Sequence, residues 1–517
     1  MSLRLFRWSA CVLSVLFFAI VAESRGQDRQ IAGTSYADAT VPATETARAV
    51  QSTLVYNDQP PAAQPTPPDY GALPPAEPPS NADLAKQIAD LKQQLAKFSA
   101  AAATPASSSP SKPLIAPSGR IQFDAADFSQ NPASVAQFKN AQNSVGFRRA
   151  RIALLGEYEV VDYIIEMDFA NRGINSAINQ KDQSTAFKDV YIQVHDLPML
   201  GNVRVGHFKE CFGLEQLTSD NYTTFMERSL DDEGAFVPGR NDGIMTYNWS
   251  ENQRATWAIG TFTNQTGFDQ PPTFQYDHMG LDLTMRGTWL PWYDEASGGR
   301  GLLHTGIDYS FRSAPDHIAT FATRPESAFA PSVVNMATSI SNGVTTDNTL
   351  KDVFDWQVFD AEAALVYGPF SMQSELFAMT LNRFNNVNTN FYGGYAYISY
   401  FLTGENRPYN RKLGVFDRVR PYENFFRVRT CDGDTATGWG AWEVGYRFSY
   451  IDMLDSLRNV GAGEAADHTF GVNWYLNPYT RVMFNYVHSE DKYIRTAGHP
   501  ISGGAIDIFE ARFAMDF

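Results

Sequence analysis

The chain has 517 residues, a formal net charge of −16 at pH 7 and an isoelectric point of about 5.0. This acidic balance excludes the basic surface of a nucleic-acid-binding protein, so we expect no nucleic-acid partner. Aromatic residues make up 13% of the sequence, with 24 Tyr and 36 Phe, and there are 37 Gly. This mixture favours many short strands joined by tight turns, and it predicts an all-β protein.

The first 26 residues (1–26) have the features of a cleaved secretory signal peptide. Arg4 and Arg7 precede an apolar run at 10–22 that is too short to cross a bilayer as a helix. Once this segment is removed, the remaining cysteines are Cys211 and Cys431, which suits an oxidising compartment. The sequence leaves two outcomes open for them, a disulfide bond or two free buried thiols.

Three segments are predicted between the signal peptide and the main domain. Residues 27–80 are rich in Pro, Ala, Thr and Gln, which predicts a disordered linker because little apolar surface can be buried. Residues 81–98 predict a short coiled-coil helix, and 99–118 a second linker. The apolar positions of that helix recur at steps of four and three: Leu84, Ile88, Leu91, Leu95 and Phe98. A solitary amphipathic helix remains the alternative. In either form we expect residues 81–98 to contact a periplasmic partner or the cell wall.

Residues 119–517 alternate between apolar and polar side chains, as strands with one apolar face and one water-facing polar face do. The clearest outward set is Trp442, Val444, Tyr446, Phe448 and Tyr450. The apolar face is rich in aromatic residues, which is typical of the girdles of membrane barrels. No stretch here has the ~18 to 20 apolar residues of a transmembrane helix, so a membrane form must be a closed barrel. At roughly 25 residues per strand and loop, the length predicts a transmembrane antiparallel β-barrel of about 16 strands.

The same alternation assigns charged side chains to the lumen. If Ile152 faces lipid, Arg149 and Arg151 point inward, because a lipid-facing charge would cost ~2 to 4 kcal/mol. Arg148 is expected at the end of its strand. Alternation in the strands that follow places other charged residues on lumen faces: Glu166, Asp168, Asp282, Arg286, Asp308 and Arg312. We therefore expect a bore of mixed charge.

Short strings spread along residues 119–517 carry a family resemblance. They are FRRAR at 147–151, GHFKE at 206–210, FMERSL at 225–230, PGRN at 238–241, YFLTGE at 400–405, GAWE at 440–443 and NWYLNPYTR at 473–481. In this order they resemble the phosphate-selective porin O and P family of outer-membrane porins. The resemblance implies a homotrimer of 16-stranded barrels in the outer-membrane bilayer, each with its own channel, in which inward basic side chains attract anions.

Three basic residues become candidate pore residues because they lie in the shared strings: Lys209, Arg228 and Arg240. They would line a loop folded into the bore. The alternative for Arg228 and Arg240 is a set of loop-holding ion pairs with nearby acids, namely Glu227, Asp231 or Asp242. With Arg149, Arg151, Arg286 and Arg312, these residues complete the predicted anion contacts.

Two departures from the family pattern shape the predicted selectivity. Cys211 stands where the family usually has proline, and only seven lysines follow residue 119. The sequence therefore predicts a water-filled diffusion channel for small polar or anionic solutes with a weak anion preference, and phosphate is one candidate solute. No cofactor, metal or catalytic motif is expected. Two alternatives remain open, a structural tether of the cell envelope and a hydrolase built on a barrel.

Overall fold

The computed structural model describes residues 114–517 apart from short gaps. Those gaps are 171–172, 176–179, 183–185, 233–234, 265–279, 336–337, 342–343, 348–349, 351, 385–387, 430–434, 456–459, 497–498 and 502. The signal peptide at 1–26, the linker at 27–80 and the coiled coil at 81–98 therefore remain predictions outside the described residues. The first strand begins at Leu114, within the segment for which the sequence predicted a second linker.

Sixteen antiparallel strands form the wall of a closed barrel. They are β1 Leu114–Gln130, β2 Ser144–Tyr158, β3 Val161–Asp168, β4 Ala186–Leu197, β5 Gly201–Lys209, β6 Arg240–Trp249, β7 Ala255–Asn264, β8 Gly280–Tyr293, β9 Gly301–Ser313, β10 Val353–Tyr367, β11 Phe370–Arg383, β12 Thr389–Phe401, β13 Ala441–Asp455, β14 Val460–Asn477, β15 Thr480–Thr496 and β16 Gly504–Asp516. Each strand pairs with the next, and β16 pairs with β1. The predicted sixteen-stranded barrel is confirmed, and its closure leaves no unpaired sheet edge in the membrane.

The alternation of side chains decides which residues face lipid. On β13, Glu443, Arg447 and Ser449 are buried in the interior, whereas Trp442 and Phe448 lie on the outer face. On β16 the same rhythm exposes Phe509 and Phe513. Because a one-residue shift of register would exchange the two faces, this pattern fixes how each strand pairs.

The two ends of the barrel differ in the length of their connections. Six connections at one end are short: 159–160, 198–200, 250–254, 294–300, 368–369 and 478–479. Short turns mark the periplasmic end of an outer-membrane barrel, and the longer loops mark the outer end. Helix α1, Pro132–Phe138, lies in an outer loop, and the side chain of Asn131 caps it by accepting a hydrogen bond from the Ser134 N–H at 2.8 Å.

Smaller elements decorate the loops. Two-stranded ladders pair Gly173–Asn175 with Gln180–Asp182, Ala322–Thr323 with Val334–Asn335, Thr338–Ser341 with Val344–Asp347, Tyr409–Asn410 with Val415–Phe416, and Val428–Arg429 with Thr435–Ala436, while His499–Ile501 pairs with the end of β15. No helix of the described residues is long and apolar enough to cross a bilayer.

Three connections fold into the bore, and we name them loop A (210–239), loop B (314–352) and loop C (402–440). Loops A and B enter from the outer end, and loop C enters from the periplasmic end. Loops A and B pack on inward-facing apolar residues of the wall that include Val358, Met379 and Ile508. The expectation that inward positions are polar is therefore wrong for this part of the wall, because the two loops shield those positions from water.

Candidate channel constriction

Loop A leaves β5 and is held against the opposite wall by hydrogen bonds from its backbone. It contains helix α2, Leu214–Leu217. The Gly213 N–H donates to Asp308 Oδ2 at 2.6 Å, and the N–H groups of Leu214 and Glu215 donate to the Glu375 carboxylate at 2.6 and 2.9 Å. Two wall carboxylates on β9 and β11 thus satisfy the amides at the start of α2.

Apolar contacts fix the rest of loop A on β11 and β12. Phe236 stacks on Phe377 with ring centroids 5.8 Å apart, and Phe225 meets Tyr397 edge-on at 5.3 Å. The loop also lies directly on Gly393, where a Cβ atom would be 1.8 Å from Asp231 Oδ1. A glycine is needed at this position because any side chain would displace the loop.

Two fully buried arginines connect the loops to the wall. Arg447 on β13 donates to Glu215 of loop A at 2.8 Å and to Glu326 of loop B at 2.9 Å. Arg512 on β16 forms a bidentate pair with Asp124 on β1 at 2.7 Å and also contacts Glu227 of loop A. These charge-assisted bonds join segments that lie more than 100 residues apart in the sequence.

Several of the predicted pore residues meet at one acid of loop A, Asp220. Arg149 Nε lies 2.9 Å from Asp220 Oδ2, Arg228 Nη2 lies 2.6 Å from its Oδ1, and Arg151 Nη1 lies at 3.6 Å. Arg120, which the sequence analysis did not select, is also 3.6 Å away. The structure thus brings together three predicted candidates and Arg120, whose inward direction follows from the alternation along β1.

The charges around Asp220 determine its protonation. Burial by itself would raise the pKa of this carboxyl, but the guanidinium groups of Arg149 and Arg228, with Lys209 and Arg151, hold its pKa well below the ordinary value. Asp220 therefore stays ionised and offsets part of the positive charge of the cluster.

Lys209 and Arg240 lie side by side at the junction of loop A with β5 and β6. They are register partners, the Lys209 ammonium donates to the Gln216 carbonyl of loop A, and Arg240 forms an ion pair with Asp189 at 2.9 Å. Arg228 pairs with Asp220 and, at 3.1 Å, with Asp232. The ion pairs described for Arg228 and Arg240 are thus with Asp220, Asp232 and Asp189.

The last two candidates lie in separate ion-paired groups. Arg286 on β8 is 2.8 Å from Glu362, and Arg312 on β9 is 2.9 Å from Asp282 and 3.1 Å from Glu210. Both arginines are buried in the wall beneath the loops.

Arg148 is not at a strand end. It occupies a bulge inside β2, points into the barrel and pairs with Glu227 at 2.7 Å. With a side chain that is 26% exposed, it remains more accessible to water than Arg149 at 5%.

Charge is unevenly distributed around the barrel. Inward bases outnumber inward acids on the first six strands, where Asp124, Glu166 and Asp168 face Arg120, Arg148, Arg149, Arg151, Lys188, Arg204, Lys209 and Arg240. The reverse holds on β8 to β11, where Arg286 and Arg312 face Asp282, Asp308, Asp355, Asp360, Glu362 and Glu375. An uneven ring of this kind sets up an electric field across the bore.

Loop C narrows the bore from the periplasmic end, and sequence reasoning did not anticipate it. The Gly414 carbonyl accepts from Arg286 at 2.9 Å, and Arg407 lies over the ring of Phe416 at 3.6 Å. Arg418 of loop C reaches Tyr222 of loop A at 3.1 Å. A cavity of 400 Å³ lies where these two loops meet.

Cys211 is a buried free thiol at the start of loop A, and its Sγ lies 3.4 Å from the Thr284 carbonyl. Cys431 lies outside the described residues, so the choice between a disulfide bond and two free buried thiols, which the sequence left open, stays untested.

The sequence is similar to those of a known protein family. A family model described as phosphate-selective porin O and P matches residues 115–517. Porin O of Pseudomonas aeruginosa is 27% identical over 408 residues, which are 75% of this chain and 86% of that protein, and an uncharacterized protein of Caulobacter vibrioides is 24% identical over 409 residues, 74% and 73% of the two chains. The solved anion-selective porin from Comamonas acidovorans aligns with a TM-score of 0.45 at 12% identity, over 78% of this chain and 100% of that one. Because the family model spans the whole barrel, the chain belongs to the phosphate-selective porin O and P family of outer-membrane porins.

Proposed function

We propose that this outer-membrane channel admits small polar solutes by passive diffusion with a weak preference for anions, phosphate among them. The observation that carries the proposal is the cluster of Arg149, Arg151 and Arg228 on Asp220, with Lys209 and Arg240 beside it. Guanidinium groups bind oxyanions in a bidentate manner, and rings of basic groups favour anions at a constriction.

The preference is weak because acids neutralise much of this charge. Asp220 lies inside the cluster, and Glu166 and Asp168 pair with Arg151 at 3.5 and 2.8 Å. A diffusing anion therefore meets arginines whose positive charge is already partly balanced. Such a site attracts anions without holding them long, as passage requires.

Reversal potentials of single channels in asymmetric KCl test this proposal. We expect wild-type channels to favour chloride, and Arg149→Gln with Arg151→Gln to lower the ratio of anion to cation permeability. The matched control is Arg383→Gln, which removes a guanidinium paired with Asp352 at the far end of β11. A cation preference in the wild type, or equal effects of the control, would contradict the assignment.

Two further expectations are tested separately. We propose the homotrimer that the family resemblance implies, and native mass spectrometry of the detergent complex measures its mass. Liposome swelling distinguishes the channel from a barrel hydrolase, because entry of a sugar without its cleavage supports the channel. Solute hydrolysis without swelling would favour the enzyme instead.

A further inference from the structure

An acidic cluster lies inside the barrel wall beneath loop A, outside the arginine cluster. Asp308 on β9 and Asp360 on β10 are direct register partners, and Glu362 on β10 is the register partner of Glu375 on β11. Like charges directly opposite each other destabilise a sheet. This part of the wall therefore needs a compensating positive charge.

Among the described residues, the positive charges near this cluster balance only part of its negative charge. Arg286 pairs with Glu362 at 2.8 Å and approaches Asp308 at 3.7 Å, while His304 contacts Glu362 at 2.9 Å. Arg286 supplies a single positive charge to a group of several carboxylates.

The oxygens of Asp360 are the strongest sign of a missing ligand. Asp360 is 2% exposed, and among the described residues its carboxylate oxygens accept from no N–H group and from no hydroxyl group; their one hydrogen-bonding neighbour there is the Glu375 carboxyl. Asp308 Oδ1 likewise accepts from no N–H or hydroxyl group of the described residues. Leaving an ionised carboxylate buried without a partner is costly, and such groups bind a donor or an ion.

The geometry of these oxygens fits one cation. Asp308, Asp360 and Glu362 each offer an oxygen that lies within 4.8 Å of the other two. Oxygen ligands sit roughly 2.3–2.6 Å from Ca²⁺, so two ligands of one ion are at most about 5.2 Å apart. Gly213 holds the second oxygen of Asp308, and Arg286 and His304 hold Glu362. The carboxylates are thus oriented by outer hydrogen bonds, as metal ligands commonly are.

We propose that Asp308, Asp360 and Glu362 bind a calcium ion that secures the base of loop A to the barrel wall. Calcium fits better than magnesium because the three carboxylates are buried, whereas Mg²⁺ usually keeps several of its own waters. Since Asp308 also accepts from Gly213 and Glu375 accepts from Leu214 and Glu215, the ion stabilises the acids that anchor α2. A proton shared between Asp360 and the adjacent Glu375 is the competing way to neutralise the cluster.

The test measures bound metal in the full-length protein. Unfolded wild-type protein is refolded into detergent with CaCl₂, with MgCl₂ or with EDTA, desalted, and analysed by inductively coupled plasma mass spectrometry. We expect one calcium per chain, a higher melting temperature after refolding in calcium than in EDTA, and no retained magnesium.

Two isosteric variants make the test specific. Asp360→Asn should lose the calcium and the calcium-dependent melting shift, and in EDTA it should melt no lower than the wild type because an uncompensated charge is gone. Asp491→Asn is the matched control, since Asp491 on β15 is also 3% exposed with two unpaired oxygens but does not belong to the three-carboxylate group. A wild type without stoichiometric calcium, preferential retention of magnesium, or equal calcium in Asp360→Asn would each overturn the proposal.

Discussion

Replacing Arg447 should detach the inward loops while leaving the barrel closed. This side chain is fully buried and donates to Glu215 of loop A, Glu326 of loop B and the Glu227 carbonyl, at 2.8, 2.9 and 2.9 Å. Arg447→Met keeps the volume but removes the charge. Two carboxylates on two different loops then lose their counterion, so the loops are expected to swing toward water.

The size of the effect follows from what those carboxylates retain. Removing one partner of a buried ion pair typically costs about 3–5 kcal/mol. Glu215 keeps the Ser229 N–H, and Glu326 keeps the hydroxyls of Ser449 and Thr469, so the lower end of that range applies. About 3 kcal/mol corresponds to a more than hundredfold rise in the population of detached loops, at about 1.4 kcal/mol per tenfold.

Planar-bilayer recordings and limited proteolysis measure this change. We expect Arg447→Met channels to have a larger mean conductance, more rapid current noise and faster cleavage in loops A and B. Adding Glu326→Gln should reverse part of the effect, because it removes one of the two uncompensated charges. If noise and cleavage match those of the wild type and of Arg383→Met, these ion pairs do not hold the loops, and the reasoning fails.

Three further changes probe loop A. Burial, reinforced by neighbouring carboxylates, raises the pKa of Asp231 well above its ordinary value, so the folded protein loses stability as the pH rises through that pKa. Asp231→Asn should therefore raise the melting temperature at about pH 8 but not at about pH 3. Equal gains at both pH values would contradict this. Gly393→Ala would place a Cβ 1.8 Å from Asp231 Oδ1 and 2.8 Å from the Phe236 ring. Thermal unfolding should therefore show that the free energy of unfolding falls by about 1–3 kcal/mol, and an unchanged melting temperature would argue against the close packing. Asp220→Asn should increase the anion preference over that of the wild type by the same amount from about pH 8 down to about pH 4.5, because the lowered pKa of Asp220 keeps the wild-type carboxylate ionised over that range. If the difference between variant and wild type changes near the ordinary carboxyl pKa, the result would count against the proposed cluster.

The strands could be predicted because a barrel wall has a simple period. On β13, alternation correctly separated Trp442 and Phe448 from Glu443 and Arg447, since lipid and interior select opposite residue types at every second position. The same argument correctly turned Arg149 inward.

The partners inside the bore could not be predicted in this way. Arg228 pairs with Asp220 and Asp232, which a linear sequence does not distinguish from Glu227 and Asp231. Which acid is reached depends on how loop A folds back across the barrel. The apolar inward positions escaped prediction for a related reason, because they are covered by loops and not by water. The acidic cluster has no spacing motif, since its members come from adjacent strands.

Loops A and C enter from opposite ends and meet where Arg418 touches Tyr222. The narrow part of the bore is therefore built jointly by two stretches of sequence that are more than 150 residues apart. Shortening either loop should widen the same passage, so a single deletion in either stretch should be enough to raise the size limit for solutes.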